Sequence, residues 1–232
     1  MIADIASGHI SIKYGFRGPN FTTVSACASA TNALIDSFNY IRLGKANAMV
    51  AGGSEAAVNE AGVGGFNALH ALSTNNENYA TASRPFDATR DGFVLGEGAA
   101  MVVLEELEHA QSRGAEIYGE VVGYGSTADA YRITDTHPEG RGATSCIRMA
   151  LKDAGLGLGD IDYVNAHGTA TKLADVAEAE SLLRTTNLSI TEIAAEVGVS
   201  DSAHFARQFK KSNRLSPSEY RKAVRGKVFS TI

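Results

Sequence analysis

An abrupt change of composition near residue 179 limits what this sequence can fold into. Residues 1–178 hold 22 of the 24 glycines and carry 12 Lys+Arg against 21 Asp+Glu. Residues 179–232 carry 9 Lys+Arg against 5 Asp+Glu, so a basic, glycine-poor segment directly follows an acidic, glycine-rich one. Such an asymmetry between segments is typical of two domains with different partners. We therefore predict domains at 1–178 and 179–232, which meet without a Pro/Gly/Ser linker.

The first segment alternates short apolar runs with helical patterns. Strands are expected at residues 21–25, 48–51, 99–104, 117–123 and 161–165, and helices at 28–43, 107–113 and 142–154. Glycines at 44, 114 and 155 would end these helices. This alternation predicts an α/β domain whose sheet is largely covered.

The second segment is predicted to be entirely helical. Residues 183–190 lead into a helix at 191–197, with Ser189 and Glu192 spaced as a capping box. Gly198 is expected to form a turn, and Ser200 or Asp201 to cap a helix that carries Phe205 and Phe209. A third helix is expected to start at Pro217. Two helices separated by a short glycine turn form the outline of a helix-turn-helix.

Cys27 is the first candidate for chemistry. It lies where a predicted strand ends and a helix rich in small residues begins, and a helix N-terminus favours a thiolate. A lone cysteine is more often a buried structural residue, so from local sequence both interpretations stay open. Cys146 lies inside an amphipathic helix and is interpreted as structural.

His167 is the second candidate, because it follows a predicted strand within Asn-Ala-His-Gly-Thr-Ala-Thr (165–171). A histidine in that setting can hold a carbonyl oxygen or accept a proton, although many only bond to their loop. The six histidines and two cysteines show no zinc spacing, so we expect no metal site. Gly123-Tyr-Gly125 lacks the third glycine of a dinucleotide fingerprint, and we expect no bound cofactor.

The C-terminal tail is strongly basic, with eight Lys+Arg and one acidic residue between positions 203 and 227. If Phe205 and Phe209 face a core, the opposite helix face could meet DNA. Many basic tails are merely solvated, which is the alternative. The candidate DNA-binding residues are Ser202, Ala203, Ala206, Arg207, Lys210 and Lys211.

Four motifs in order resemble the elongating β-ketoacyl-acyl-carrier-protein (ACP) synthases, type II, over residues 1–178. They are Val-Ser-Ala-Cys-Ala-Ser-Ala (24–30), Arg-Pro-Phe-Asp (84–87), Arg-Asp-Gly-Phe-Val-Leu-Gly-Glu-Gly (90–98) and the His167 motif. The resemblance implies a thiolase-like layered α/β fold, a homodimer, and fatty-acid elongation. Substrates would arrive on the phosphopantetheine of ACP, which would be the partner.

The same resemblance implies roles for individual residues. Cys27 would carry the acyl chain as a thioester, and His167 would bind the malonyl carbonyl as the first of two histidines. Thr169 and Thr171 would contact the pantetheine arm, and Phe66 would line the acyl pocket.

The sequence also departs from this family. Family members begin before the point that matches residue 1, and after residue 178 the family's lysine and second histidine have no counterpart. Carbanion stabilisation would lose one of two donors, typically about 2.7–4 kcal/mol. We therefore expect a partial layered fold, incomplete at both ends, with impaired condensation.

Residues 180–225 resemble the C-terminal helix-turn-helix of AraC-type DNA-binding regulators. That family uses two such units, and only the second is represented here. Asn213-Arg214 stands where an aromatic–glycine pair is usual. A half-module is expected to bind DNA weakly, mainly through salt-sensitive phosphate contacts.

Three hypotheses follow: an acyl-transferring condensing enzyme, an AraC-type transcriptional regulator, and a fusion of two gene fragments in which neither works. Two cysteines 119 positions apart and the lack of a leader pattern favour the cytoplasm. The apolar runs are too short to predict a membrane segment.

Overall fold

A computed structural model describes residues 2–133, 135–196 and 202–228. The chain divides into two compact units, Met1–Val58 with Gly96–Val121 (unit 1) and Asn59–Leu95 with Val122–Ile232 (unit 2). In chain order the elements are α1 Ile5–Tyr14, α2 Ser29–Arg42, β1 Ala48–Glu55, α3 Glu60–Ala68, β2 Gly98–Glu105, α4 Leu107–Ser112, α5 Arg141–Ala154, α6 Lys172–Thr185, α7 Ile190–Glu196, α8 Ser202–Asn213 and α9 Pro217–Val228. Short 3-10 turns cover Ala26–Ala28, Tyr79–Thr81 and Leu158–Asp160.

Unit 1 contains an antiparallel pair of strands with a helix packed on it. β1 and β2 pair from Ala48↔Glu105 to Glu55↔Gly98, and α2 packs against β1. A Cβ at Gly53 would lie 2.7 Å from the Ala30 Cβ, so glycine is needed for helix and strand to approach this closely. The predictions for α2, β1, β2 and α4 are therefore confirmed.

The predicted covered sheet is wrong in two respects. Residues 21–25, 117–123 and 161–165 form no strand, and among the described residues only an isolated bridge, Leu72↔Phe93, pairs outside β1 and β2. A strand needs a neighbour to pair with, and apolar sequence alone does not supply one. β2 is also not buried, since Met101, Val102 and Val103 are 43%, 49% and 64% exposed.

The core of unit 2 is built mainly from its C-terminal helices. The buried apolar cluster consists of Phe86, Ala179, Leu182, Leu183, Leu188, Ile193, Ala194, Phe205, Phe209 and Tyr220. Every one of these residues except Phe86 lies beyond residue 178. Phe86 belongs to the Arg-Pro-Phe-Asp motif, so the residues beyond 178 share one core with the segment that precedes them.

The helix boundaries in unit 2 follow local signals. α5 matches its prediction and ends at Gly155, which has φ +69°. Ser189 and Glu192 form the predicted capping box at the start of α7. α9 begins at Pro217 as predicted, behind a second box in which the Ser216 N–H donates to the Glu219 carboxylate at 2.8 Å. The predicted turn at Gly198 and cap at Ser200 or Asp201 lie outside the described residues.

The prediction that the second segment is entirely helical is wrong at residues 186–189, because α6 starts at Lys172, ends at Thr185 and is followed by four non-helical residues. The Thr185 hydroxyl donates to the Ser181 carbonyl at 2.6 Å, and the Thr186 hydroxyl to the Leu182 carbonyl at 2.8 Å. β-Branched residues that bond back to the helix weaken its continuation, and Thr186 is extended. The predicted domain boundary between residues 178 and 179 falls inside α6, which continues through it.

The turn after α8 forms without the glycine that is usual in the resembling family. Arg214 has φ +61° and its N–H donates to the Lys210 carbonyl at 2.8 Å. A left-handed non-glycine residue costs roughly 1–2 kcal/mol, so this turn is strained. Across residues 2–133, 135–196 and 202–228, the helices lack the length and apolar character needed to cross a membrane.

We predict that the pKa of Glu105, at the end of β2, is about 2. Arg113 lowers it most, with its Nε 2.7 Å from Oε1, and His109 adds to this. Because the folded pKa lies below the unfolded one, the interaction stabilises unit 1 above the unfolded pKa and is lost as pH falls through about 2. A carboxyl ¹³C NMR titration should give this midpoint.

Arg113→Ala should move the Glu105 midpoint up toward its ordinary value. Arg132→Ala, which removes an exposed arginine paired with Asp135, is the control and should leave it unchanged. An unshifted midpoint in Arg113→Ala would mean that the guanidinium does not set this pKa.

Candidate functional site

Cys27 is held at the surface of unit 1 on a strained turn. It is exposed and occupies the middle of the 3-10 turn that runs into α2. The preceding residue, Ala26, has φ +51°, a conformation that side-chain-bearing residues rarely adopt. A thiol in this position is open to a substrate and lies beside the N-terminal amides of a 14-residue helix.

A hydroxyl clamp keeps the turn in this conformation. The Ser29 hydroxyl accepts from the Ser25 N–H at 2.9 Å and donates to the Ala26 carbonyl at 2.7 Å. The Asn32 amide donates to the Ser25 hydroxyl at 2.6 Å. These hydrogen bonds join residues before Cys27 to residues after it and do not involve its sulfur. They fix the turn and leave the thiol available.

His167 lies in unit 2 on a loop that one carboxylate holds by its backbone. The Glu178 oxygens accept from the His167 N–H at 2.6 Å and from the Gly168 N–H at 2.8 Å. Glu178 belongs to α6, so the helix that follows the loop also fixes it. The His167 side chain is exposed, and its imidazole remains available to a substrate.

The Arg-Pro-Phe-Asp motif packs directly on this loop. A Cβ at Gly168, where φ is +50°, would lie 3.2 Å from the Phe86 ring and 3.4 Å from Pro85. Ala170 is almost fully buried and also has positive φ, +61°. The loop is therefore constrained both by its backbone conformation and by close packing.

A buried ion pair ties the same motif region to α6. Arg90 Nε lies 3.0 Å from Asp175 Oδ2, and Arg90 also donates to the Thr171 and Lys172 carbonyls. The same Asp175 oxygen accepts from the Phe86 N–H at 2.7 Å. Burial raises the pKa of Asp175, and the Phe86 N–H and Arg90 oppose that shift by stabilising the carboxylate.

The remaining residues predicted from the condensing-enzyme resemblance also lie in unit 2. Thr169 Oγ1 and Thr171 Oγ1 are 2.9 Å apart on the His167 loop, so the structure brings these three residues together. Phe66, on α3, packs edge-to-face on Phe93 with ring centroids 5.4 Å apart. Cys27, in contrast, belongs to unit 1.

The residues predicted to bind DNA lie on α8, together with two phenylalanines. Phe205 and Phe209 are buried, whereas Ala203, Arg207, Lys210 and Lys211 are exposed and Ser202 and Ala206 are half-buried.

Within the described part of the chain, no three His, Cys, Asp or Glu side chains are grouped as metal ligands.

Sequence reasoning missed the residues that hold the His167 loop, namely Glu178, Asp175 and Arg90. Asp175 and Glu178 lie three residues apart on α6, directly after the His167 motif. Acidic residues near a helix start often bind nearby N–H groups, and this spacing was a usable signal. Arg90 begins the motif at 90–98, but nothing in that motif indicated its ion pair, because its partner lies 85 positions away in the sequence.

We predict that Ala26→Gly is more stable than Ala28→Gly by about 1–2 kcal/mol, because only the first relieves a left-handed alanine. Ala28 belongs to the same turn and has φ −88°, which makes it the matched control. Urea unfolding of both variants gives the difference. Equal stabilities would show that Ala26 is not strained.

Three protein-family models match the chain. The β-ketoacyl synthase N-terminal domain matches residues 1–110, and the β-ketoacyl synthase C-terminal domain matches residues 118–197. The model of bacterial regulatory helix-turn-helix proteins of the AraC family matches residues 183–222. The last two matches overlap from residue 183 to residue 197, from the end of α6 through α7.

A curated relative is the 3-oxoacyl-[acyl-carrier-protein] synthase 2 of Staphylococcus aureus, 48% identical over 185 residues, which are 80% of this chain and 46% of the relative. A crystal structure of a β-ketoacyl synthase from Burkholderia phymatum has a TM-score of 0.77 at 37% identity and covers 92% of this chain and 53% of that one.

Another similar structure is a type II PKS acyl-carrier protein in complex with its ketosynthase bound to the hexaketide. There the TM-score is 0.74 at 38% identity, with 83% of this chain and 45% of the other covered. The chain thus spans about half the length of its relatives or less. Because the two synthase models together match residues 1–110 and 118–197, this chain belongs to the β-ketoacyl synthase family, and its C-terminal end also matches the AraC helix-turn-helix family.

Proposed function

We propose that this chain performs the acyl-transfer half of a β-ketoacyl-ACP synthase reaction, with Cys27 as the nucleophile. The observation that carries the proposal is the exposed thiol on a clamped, left-handed turn at the start of α2. This local geometry resembles what nucleophilic catalysis requires, a reactive group fixed in place with open access. The synthase family of the chain supports the same assignment.

The proposed step exchanges one thioester for another. The Cys27 thiolate attacks the acyl carbonyl, a new C–S bond forms, and the bond to the phosphopantetheine sulfur of ACP breaks. The released pantetheine thiolate takes up the proton that Cys27 lost, so charge and atoms balance. ACP is the proposed partner and a homodimer the proposed assembly, and the substrates stay attached to their carrier.

For the second half-reaction, we assign His167 to the malonyl thioester. Malonyl-ACP would lose CO₂, and the resulting carbanion would attack the acyl-Cys27 carbonyl and release the cysteine thiolate. His167 would donate to the thioester oxygen as negative charge develops there, with Thr169 and Thr171 near the pantetheine arm and Phe66 at the acyl chain. Glu178 holds the backbone of the His167 loop in support of this role.

The two half-reactions are expected to differ in rate. This expectation rests on our proposal that residues 179–232 supply no counterpart of the family's lysine and second histidine. Removing one donor from an oxyanion site costs about 2.7–4 kcal/mol, a factor of roughly 10²–10³ in rate. We therefore expect acyl transfer to be detectable under conditions where condensation is slow.

We predict an acyl adduct on Cys27 after incubation with long-chain acyl-ACP. Intact-mass spectrometry should show one acyl group added to the wild-type chain and none added to Cys27→Ala. Cys146→Ala is the matched control and should still load, because desolvation by burial raises the pKa of the Cys146 thiol, which donates to the Gly125 carbonyl.

If a folded wild-type chain forms no adduct, or if Cys27→Ala still forms one, the nucleophile assignment is wrong. In that case the alternatives are a regulator that uses the synthase-like segment as a platform, and a fusion in which neither part is active.

A second candidate function is weak DNA binding by α8. It is favoured by the AraC-family match and by the exposure of Arg207, Lys210 and Lys211 opposite the buried Phe205 and Phe209. In this proposal Arg207 would reach a base edge, while Lys210 and Lys211 would contact phosphates. One helix-turn-helix buries a small interface, so the phosphate contacts would dominate the affinity.

We predict that replacing Lys210 and Lys211 together with alanine weakens DNA binding for all sequences alike. The plot of log K against log salt concentration should lose about 0.9 in slope for each phosphate contact removed. Lys152→Ala, which removes an exposed lysine of α5, is the control. DNA binding with an unchanged salt slope in the double variant would exclude α8 as the DNA-contacting helix.

A further inference from the structure

α6 has different partners at its two ends. Toward its N-terminus, Asp175 and Glu178 hold Phe86 and the His167 loop. Toward its C-terminus, Leu182 and Leu183 enter the core formed with α7, α8 and α9. The helix therefore connects the His167 loop mechanically to the AraC-type tail.

The tail binds α6 through polar as well as apolar contacts. The Tyr220 hydroxyl, on α9, donates to Glu180 Oε2 at 2.7 Å and accepts from Arg184 Nε at 2.9 Å. Burial, reinforced by the hydrogen-bonded Glu180 carboxylate, raises the pKa of Tyr220 to about 12, so its hydroxyl remains a donor at neutral pH. The Tyr220 ring also packs edge-to-face on Phe209.

The tail also packs against Phe86 of the Arg-Pro-Phe-Asp motif, which in turn packs on the His167 loop. Phe86 belongs to the same buried cluster as Phe205 and Phe209 of α8. These two phenylalanines line a small cavity together with Phe86, Arg90 and Asp175. The apolar face of α8 therefore contacts the structure that fixes the loop, in addition to the other tail helices.

Packing against other helices, the tail among them, stabilises α6. A helix of 14 residues is marginal in water on its own, and most helical stability in proteins comes from tertiary contacts. Eight of its residues are buried, including the polar Asp175, Glu180, Ser181 and Thr185. Without the tail, Leu182 and Leu183 would lose the helices that α6 packs against at its C-terminal end.

We propose that the AraC-type helices α7–α9 act in this chain as a structural support that keeps α6, and through it the His167 loop, in position. Leu183, on α6, and Tyr220, on α9, are positioning residues in this scheme, because they act on the His167 loop only through the contact between α6 and the tail. The tail is then part of one cooperative unit with the loop and not a separately folded module.

Residue-resolved amide hydrogen exchange on the full chain tests the proposal. Tyr220→Phe keeps the ring and removes the hydroxyl, and it should raise exchange at the His167 and Gly168 amides about tenfold or more. Leu183→Ala should have a larger effect at the same two amides. Tyr163→Phe and Leu173→Ala remove exposed groups of the same unit, and Leu173 also lies on α6. Both controls should exchange like the wild type.

Glu178→Gln calibrates the readout. It should raise exchange at His167 and Gly168 without raising exchange in α9, because it breaks the link on the loop side only. Unchanged exchange in this variant would overturn the proposal at its first step.

The proposal is also overturned if Tyr220→Phe or Leu183→Ala releases the α8 and α9 amides while His167 and Gly168 stay protected. That result would make the tail an independent module. If Leu183→Ala does not fold, Tyr220→Phe decides alone. Acylation of Cys27 plays no part in the measurement, so failure of the proposed enzyme function would leave this test unaffected.

Discussion

The arrangement of unit 2 depends on two carboxylates that lie one turn apart on α6. The Glu178 carboxylate accepts hydrogen bonds from the His167 and Gly168 N–H groups. Asp175 is buried, forms an ion pair with Arg90 and accepts a hydrogen bond from the Phe86 N–H. A buried carboxylate without such partners would be costly, so the segment around Phe86, the loop and the helix must form together. Gly168 and Ala170 keep their left-handed conformations because these contacts over-determine them.

The sequence predicted those elements whose signals are local. α2, α5 and α9 follow from apolar spacing and from the glycine or proline at their ends, and the start of α7 follows from the Ser189–Glu192 box. Strands at 21–25, 117–123 and 161–165 were predicted wrongly, because pairing depends on a partner elsewhere in the chain. α1 and α3 were missed, and α3 contains three glycines, which obscure a helical pattern.

The residues of the candidate site also divide into those with a local sequence signal and those whose contacts depend on distant parts of the chain. Cys27 and His167 were found from motifs, and the helix N-terminus beside the cysteine was predicted correctly from its small neighbours. The left-handed Ala26 was not foreseen, because alanine at that position gives no sign of positive φ. The contacts of Asp175 with Phe86 span 89 positions, and no periodicity in either segment reports such a pairing.

The continuity of α6 through residues 178 and 179 has a consequence for how such a chain could tolerate change in length. Each residue added to an α-helix turns everything beyond it by about 100° and advances it by about 1.5 Å. Glu178 and Glu180 must point at different partners, the loop and Tyr220, and a fixed rotation separates them. One residue inserted between them would rotate Leu182, Leu183 and Arg184 about the helix axis, away from the tail. An insertion of a full helical turn would nearly restore the direction of these side chains. The phase of a single helix therefore sets which changes of length unit 2 can accept at this place in its sequence.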